Sequence, residues 1–277
     1  MRLADYHVHT GYTKDVKPDT TLEGYILKAE KIGLKEVCFL NHFEYHPLMG
    51  LVKGSTIFPD QIDEFIEEVE KARAFASIKI RIGLEVTYTE NYLRDIERTL
   101  SEYEGSLDII LGSIHFLKGY NITGTMAPSR LFESFSEEQL YQLYFQELAK
   151  VAESQLFDVL AHPDVIRKHA VKFYGGELDS SLYKSLIIKV LDIIKEYGVG
   201  LEVNASGYRH GINDCYPRIE MLELAKKLGV KIVTTGSDAH GINHLAYCLN
   251  KAAEKLMKAG YSSYTIFHKR ISSFCEF

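Results

Sequence analysis

The chain has 277 residues, 46% hydrophobic and 25% charged, with a formal net charge of −6. That is chain enough for one large α/β barrel, so a single domain over residues 1–277 is expected. The acidic balance argues against binding a nucleic-acid backbone, and no run approaches the roughly 20 apolar residues of a membrane span.

An anionic substrate is not excluded, because bound metal ions reverse a local field. The cysteines Cys38, Cys215, Cys248 and Cys275 show no C-x-x-C pairing, which argues against a disulfide framework or a zinc knuckle. Met1-Arg2 leads at once to Asp5 and two histidines, so no secretory leader is expected. A cytoplasmic enzyme with reduced thiols, monomeric or homodimeric, fits best.

In chain order, residues 3–8 read as a first strand. Thr20-x-x-Glu23 reads as a capping box opening a helix to about Ile32, stopped by Gly33. A second strand is expected over 36–40, a charged helix from Pro59 to about 75, a third strand over 79–86 and a helix over 92–103. The fourth strand falls at 107–114. Ser136-Glu-Glu-Gln139 caps a helix to about Glu153, and a fifth strand follows at 157–161. Residues 178–197 contain a helix, 200–204 a sixth strand, and Pro217 is a candidate first residue of a helix ending at Gly229. The seventh strand is expected at 230–235, the last long helix at 243–259, and one short strand in the tail 264–277. Near-continuous apolar strands alternating with helices imply a parallel sheet covered by helices. Longer connections near 43–58, 116–135 and 205–216 follow strands.

The polar residues gather at the C-terminal ends of these strands. They are His7 and His9, Asn41-His42, Glu85, His115, His162-Pro-Asp164, Glu202-Val-Asn204, and Asp238-Ala-His240. Alternate residues of a strand share a face, so His7 and His9 reach toward one point. Of the 11 histidines, six lie at these ends, which in a β/α barrel converge on the face that carries the chemistry. The others, His46, His169, His210, His244 and His268, read as exposed or loop residues, with His210 in a rim loop. Imidazole and carboxylate without thiolate suit zinc, manganese or iron better than calcium or magnesium, and so many donors exceed the needs of one tetrahedral ion.

At DYHVHT, NHFE, GLEV, GSIHFLKG, AHPD and GSDAH the sequence resembles the PHP (polymerase and histidinol phosphatase) superfamily. LEVNASGYRHGINDCYP, followed by GSDAH, resembles its monofunctional histidinol-phosphate phosphatases. The resemblance implies a distorted seven-stranded (β/α) barrel, TIM-like, with two to three divalent ions. His7, His9, Glu85 and Asp238 would hold one ion. Glu85 would bridge to a second with His115 and His162, and Asp15, His42 and His240 would hold the third. The family often shows Thr-Asp-His where this chain has Leu40-Asn41-His42. Asp5 is either a supporting partner of a ligand or a buried strand residue.

The expected activity is metal-dependent hydrolysis of a phosphate monoester, histidinol phosphate first, with Glu85, Asp238 and Arg209 as catalytic residues. Arg209 is the leading phosphate contact, since guanidinium binds phosphate bidentately. Arg167 and Lys168 come second, and Tyr208 or Tyr216 is a candidate reader of the organic part. If Arg209 is instead structural, Asp214 is its expected partner. Two other classes compete: a PHP exonuclease acting on nucleic-acid ends, disfavoured by the net charge, and a regulatory protein with a decayed metal site, disfavoured by the nearly full donor set.

Overall fold

A computed structural model describes residues 3–277. The strands are β1 (Ala4–His9), β2 (Glu36–Leu40), β3 (His42–His46), β4 (Gly50–Leu51), β5 (Lys79–Thr87), β6 (Ile109–Ser113), β7 (Phe116–Leu117), β8 (Tyr120–Asn121), β9 (Val159–Leu160), β10 (Gly200–Asn204), β11 (Val233–Gly236), β12 (Ser263–His268) and β13 (Ile271–Glu276). The helices are α1 (Leu22–Ile32), α2 (Pro59–Arg73), α3 (Leu93–Tyr103), α4 (Ser129–Ser134), α5 (Glu137–Glu153), α6 (Arg167–Tyr174), α7 (Lys184–Tyr197), α8 (Ile219–Leu228) and α9 (Leu249–Lys258).

The parallel order β1-β2-β5-β6-β9-β10-β11 bends into a nearly closed barrel. Closure comes through main-chain bonds: His9 N donates to Ala239 O at 2.9 Å and Ala239 N to His7 O at 3.1 Å. Val8, Leu84, Leu111, Leu160, Val203 and Val233 are all fully buried, as strands covered on both faces must be. β2 and β3 are one strand interrupted at Asn41. Phe39 aligns with Ile82 and His42 with Glu85 in the same register, and Glu85 N donates to Asn41 O. The register sets His42 beside Glu85.

Local signals fared unevenly. Ser136 and Gln139 form the expected capping box of α5, and Gly33 ends α1 at φ 73°, a left-handed conformation that glycine adopts without strain. The cap of α1 is Thr21 rather than Thr20, its hydroxyl accepting from Gly24 N. α8 begins at Ile219, so Pro217 is not its first residue. The last helix starts at Leu249, after a short 3₁₀ turn at Ile242–His244. The tail forms two strands, β12 and β13, not one. Among the described residues no helix is long and apolar enough to cross a membrane.

Candidate metal centre

Apart from Asp15, in the loop after β1, the candidate donors sit in the C-terminal halves of barrel strands or just beyond them, on the face where a β/α barrel carries its chemistry. His7 and His9 project from β1, His42 from the start of β3, and Glu85 from β5. His115 and His162 follow β6 and β9, while Asp238 and His240 follow β11. His162 (φ 27°) and Asp238 (φ 56°) hold positive φ, a strained geometry costing about 1–3 kcal/mol for a non-glycine residue and concentrated at functional sites.

Three groups form around Glu85. His7 Nε2 and His9 Nε2 face each other at 3.0 Å, at 3.2 and 3.5 Å from Glu85 Oε2 and 3.7 and 3.5 Å from Asp238 Oδ1. The other oxygen, Oε1, lies 3.1 Å from His115 Nε2 and 2.7 Å from His162 Nε2. Asp15 Oδ2 lies 3.2 Å from His42 Nε2 and 3.1 Å from His240 Nε2, and His42 Nδ1 is 2.8 Å from Glu85 Oε2. Glu85 therefore faces separate imidazole sets with its two oxygens. Close sets of donors recur here, including His7–His9–Glu85, His42–Glu85–His115 and His9–His42–His240.

Donor chemistry tests whether divalent ions fit. Glu85 Oε2 and His42 Nδ1 are buried and close, yet neither makes a hydrogen bond. Imidazole nitrogens and carboxylate oxygens converging this closely make a donor set that a cation held between them satisfies. The residues fit such ions. Burial alone would raise the Glu85 carboxyl, but the imidazoles of His115, His7 and His42 hold it well below the usual range. Asp238 behaves likewise, its burial outweighed by His7, His9 and His240. His9 is pushed well down by burial and by the neighbouring rings of His240 and His42, so it offers neutral imidazole, the form that ligates.

Two carboxylates with no role in the sequence reading support the imidazoles. Glu44, buried on β3, accepts from His115 Nδ1 and from Ser55 Oγ at 2.7 Å. Glu202, buried on β10, accepts from His7 Nδ1 at 2.8 Å. Glu44 closes the NHFE motif and Glu202 shares β10 with Asn204, but nothing in a linear sequence pairs either with its histidine. Asp5 touches no imidazole ring. It accepts from Ser237 N, Ser237 Oγ and Ala246 N at 2.8, 2.5 and 2.9 Å, tying β1 to the Asp238 loop. Asn41 exchanges hydrogen bonds with Thr10 at 2.8 and 3.1 Å and likewise reaches no candidate ligand side chain.

The expected phosphate contacts separate. Arg209 donates to Ser237 O at 2.6 Å and Asp238 O at 2.5 Å, beside the Asp238 carboxylate. Its expected structural partner, Asp214, pairs instead with Arg167 and Lys255. Arg167 corrects the rim assignment: it is 3% exposed and locked to Asp164, Glu177 and Asp214 at 3.4, 2.6 and 3.2 Å. A guanidinium so saturated with carboxylates has no free fork for phosphate. Tyr216 is also corrected, being fully buried with its hydroxyl 3.0 Å from His210 Nδ1. Tyr208 is half-buried.

Lys168 donates to Thr123 O; burial lowers its ammonium, opposed by the nearby Asp238 charge. His210 is pushed down to about 3, by burial and then by Lys168. His46 is buried and donates to Gly119 O at 3.0 Å, rather than lying exposed. His169 Nε2 donates to Gly124 O at 2.9 Å. Together with Lys168 these side chains hold the loop after β7 and β8.

Fold and donor set define a β/α barrel with clustered imidazole and carboxylate donors suited to metal binding at its C-terminal rim. The PHP domain family matches residues 5–206, and the chain belongs to that family. It is 25% identical over 271 residues to a probable histidinol-phosphatase of Deinococcus radiodurans, covering 97% of this chain and 98% of that one. It is 25% identical over 273 residues to the histidinol-phosphatase of Bacillus subtilis, covering 92% and 100%. The histidinol phosphate phosphatase of Lactococcus lactis, solved with zinc, L-histidinol and phosphate, superposes with TM-score 0.79 at 18% identity over 98% of this chain and 99% of that one.

Proposed function

We propose that the chain is a metal-dependent phosphatase that hydrolyses L-histidinol phosphate to L-histidinol and phosphate. The observation that carries the reading is Glu85, whose two oxygens face separate imidazole groups inside a nearly closed barrel. Full-length relatives named for this activity support the substrate. His7, His9, Glu85 and Asp238 would hold one ion. Glu85, His115 and His162 would hold a second, and Asp15, His42 and His240 a third. Divalent ions bound there supply positive charge for the phosphoryl oxygens and acidity for an attacking water.

The protein's own groups do the rest. Arg209, anchored on the Asp238 loop, contributes a guanidinium cation, and Lys168 lies near enough to feel the Asp238 charge. These cations favour the phosphoryl group where negative charge gathers in the transition state. The water oxygen bonds to phosphorus as the ester P–O bond breaks, and the proton lost by water ends on the leaving alkoxide. Glu44 and Glu202 hold His115 and His7 through Nδ1, which leaves each Nε2 lone pair facing inward.

The test is a comparison of kcat/KM for histidinol phosphate, other phosphomonoesters, p-nitrophenyl phosphate and a labelled oligonucleotide. Histidinol phosphate should lead. A higher specificity constant for the oligonucleotide, or for an unrelated monoester, would replace this reading with a different PHP phosphoesterase.

A further inference from the structure

We propose that Glu202 is a positioning residue that ties two of the imidazole groups into one unit; this rests on the metal-centre reading above. Glu202 lies on β10 and is fully buried. Its Oε1 accepts from His7 Nδ1 at 2.8 Å, while Oε2 accepts from His162 N at 2.8 Å and Asn204 Nδ2 at 3.0 Å. Among the described residues no lysine or arginine lies within ion-pair distance of it. A buried carboxylate without a permanent cation is costly, so the arrangement calls for a use.

The contacts supply one. Accepting from Nδ1 fixes the His7 tautomer and turns the Nε2 lone pair toward His9, Glu85 and Asp238. Accepting from the His162 main chain steadies a residue whose φ is 27°. His7 and His162 belong to opposite oxygens of Glu85, so one carboxylate sets the geometry of both groups. Gly236 makes room for it: an added Cβ there would lie 2.1 Å from Glu202 Oε1 and 2.6 Å from His7 Cβ. Glu44 is the natural comparator, since among the described residues the one imidazole Nδ1 it accepts from is that of His115.

Glutamine cannot substitute. A glutamine NH2 turned toward His162 N and Asn204 Nδ2 opposes donors, and one turned toward His7 Nδ1 selects the tautomer that carries its proton on Nε2, where it blocks ligation. The experiment strips metal from the purified protein by chelation, then titrates manganese or zinc into the parent, Glu202→Gln, Glu44→Gln and Asn204→Ala. Calorimetry reads affinity and stoichiometry, manganese spin resonance reads the ligand field, and thermal melts of the stripped proteins read folding. Glu202→Gln should weaken at least two ions by tenfold or more and alter the manganese spectrum. Glu44→Gln should weaken the ion beside His115 most. Asn204→Ala keeps the carboxylate but removes one donor to it and the cap on Ser206 N; it should show a smaller loss in the same ions, with the melt of the stripped protein reading the cost of the lost cap, so the inference is tested even if Glu202→Gln unfolds. If the parent takes up no metal, the metal-centre reading falls and this inference with it. If the parent loads while Glu202→Gln and Asn204→Ala load as tightly with an unchanged spectrum, the inference alone is overturned, and Glu202 is structural only.

Discussion

The two ends of the barrel arrange their charged and polar groups oppositely. At the N-terminal end acids meet bases. Asp108 accepts from Arg73, from His268 at 3.0 Å, and from Ile82 N and Lys269 N at 3.0 Å each. Asp158 takes both oxygens to Arg270 at 3.1 Å, and Glu36 accepts from Arg81 at 2.8 Å and from Tyr6. The β12–β13 hairpin brings His268, Lys269 and Arg270 to this network. At the C-terminal end like meets like: imidazole faces imidazole at 3.0 to 3.5 Å around one buried carboxylate. The first arrangement is complete within the protein and serves stability. The second gathers metal-type donors in one buried cluster, the arrangement of a site that serves chemistry at the expense of stability.

Changes at the two ends should therefore separate function from folding. The largest effect is expected from Glu85→Gln. Removing the shared carboxylate should cut kcat/KM by about 100-fold or more and lower bound metal, because two imidazole groups lose their common partner. Elemental analysis with kinetics checks this; parent-like stoichiometry and rate would remove Glu85 from the centre. Chelation of the parent should abolish turnover, with recovery on adding manganese or zinc.

Asp108→Ala is the counterpart at the other end. It leaves Arg73 to Glu70 and Ile80 O but strands the main-chain donors of Ile82 and Lys269. It should cost about 3 kcal/mol and lower Tm by roughly 6–10 °C, while metal content and kcat/KM per folded molecule stay at parent values. A loss of metal in this variant would break the division between the ends.

Arg209→Ala should lower kcat/KM by about ten- to a hundredfold through loss of a charge-assisted contact. Because Arg209 also grips the carbonyls of Ser237 and Asp238, metal affinity should fall with it. Early melting with a parent rate in the surviving fraction would make Arg209 purely structural.

The smallest effect concerns His210. Its imidazole is held down at about 3 in the folded protein, against about 6.5 in an unfolded chain. Between those values the unfolded state binds the extra proton, so acidification from pH 6.5 toward 3 costs stability. His210→Gln should remove that share. Tm differences between variant and parent, measured on stripped protein, should shift in the variant's favour below pH 6 and stay flat above pH 7.

Much of this division was legible in the sequence at the rim and little of it at the base. Ligand candidates are short-range features: H-x-H at His7 and His9, and Asp238-Ala-His240, are visible because a strand or tight loop fixes what neighbours in sequence do. The base network joins Arg73, Asp108 and His268, far apart in the chain, and no pattern links them. The same holds for Arg167. It lies three residues beyond the AHPD motif and reads as a rim cation, but α6 carries it inward to Asp164, Glu177 and Asp214. Thr20 missed the cap by one residue because either threonine satisfies the local chemistry.

By itself the sequence determined the alternation of strand and helix, the parallel sheet and the placing of histidines at strand ends, since apolar periodicity and strand direction act over a few residues. The tertiary structure alone decided which oxygen of Glu85 faces which imidazole and that Asn41 interrupts one strand between β2 and β3. It also decided that Glu44 and Glu202 back the histidines, and that Arg209 binds carbonyls rather than Asp214. Those outcomes depend on barrel closure and register, which bring together residues as far apart as His7 and Glu202, and neither register nor closure is encoded in any local run of residues.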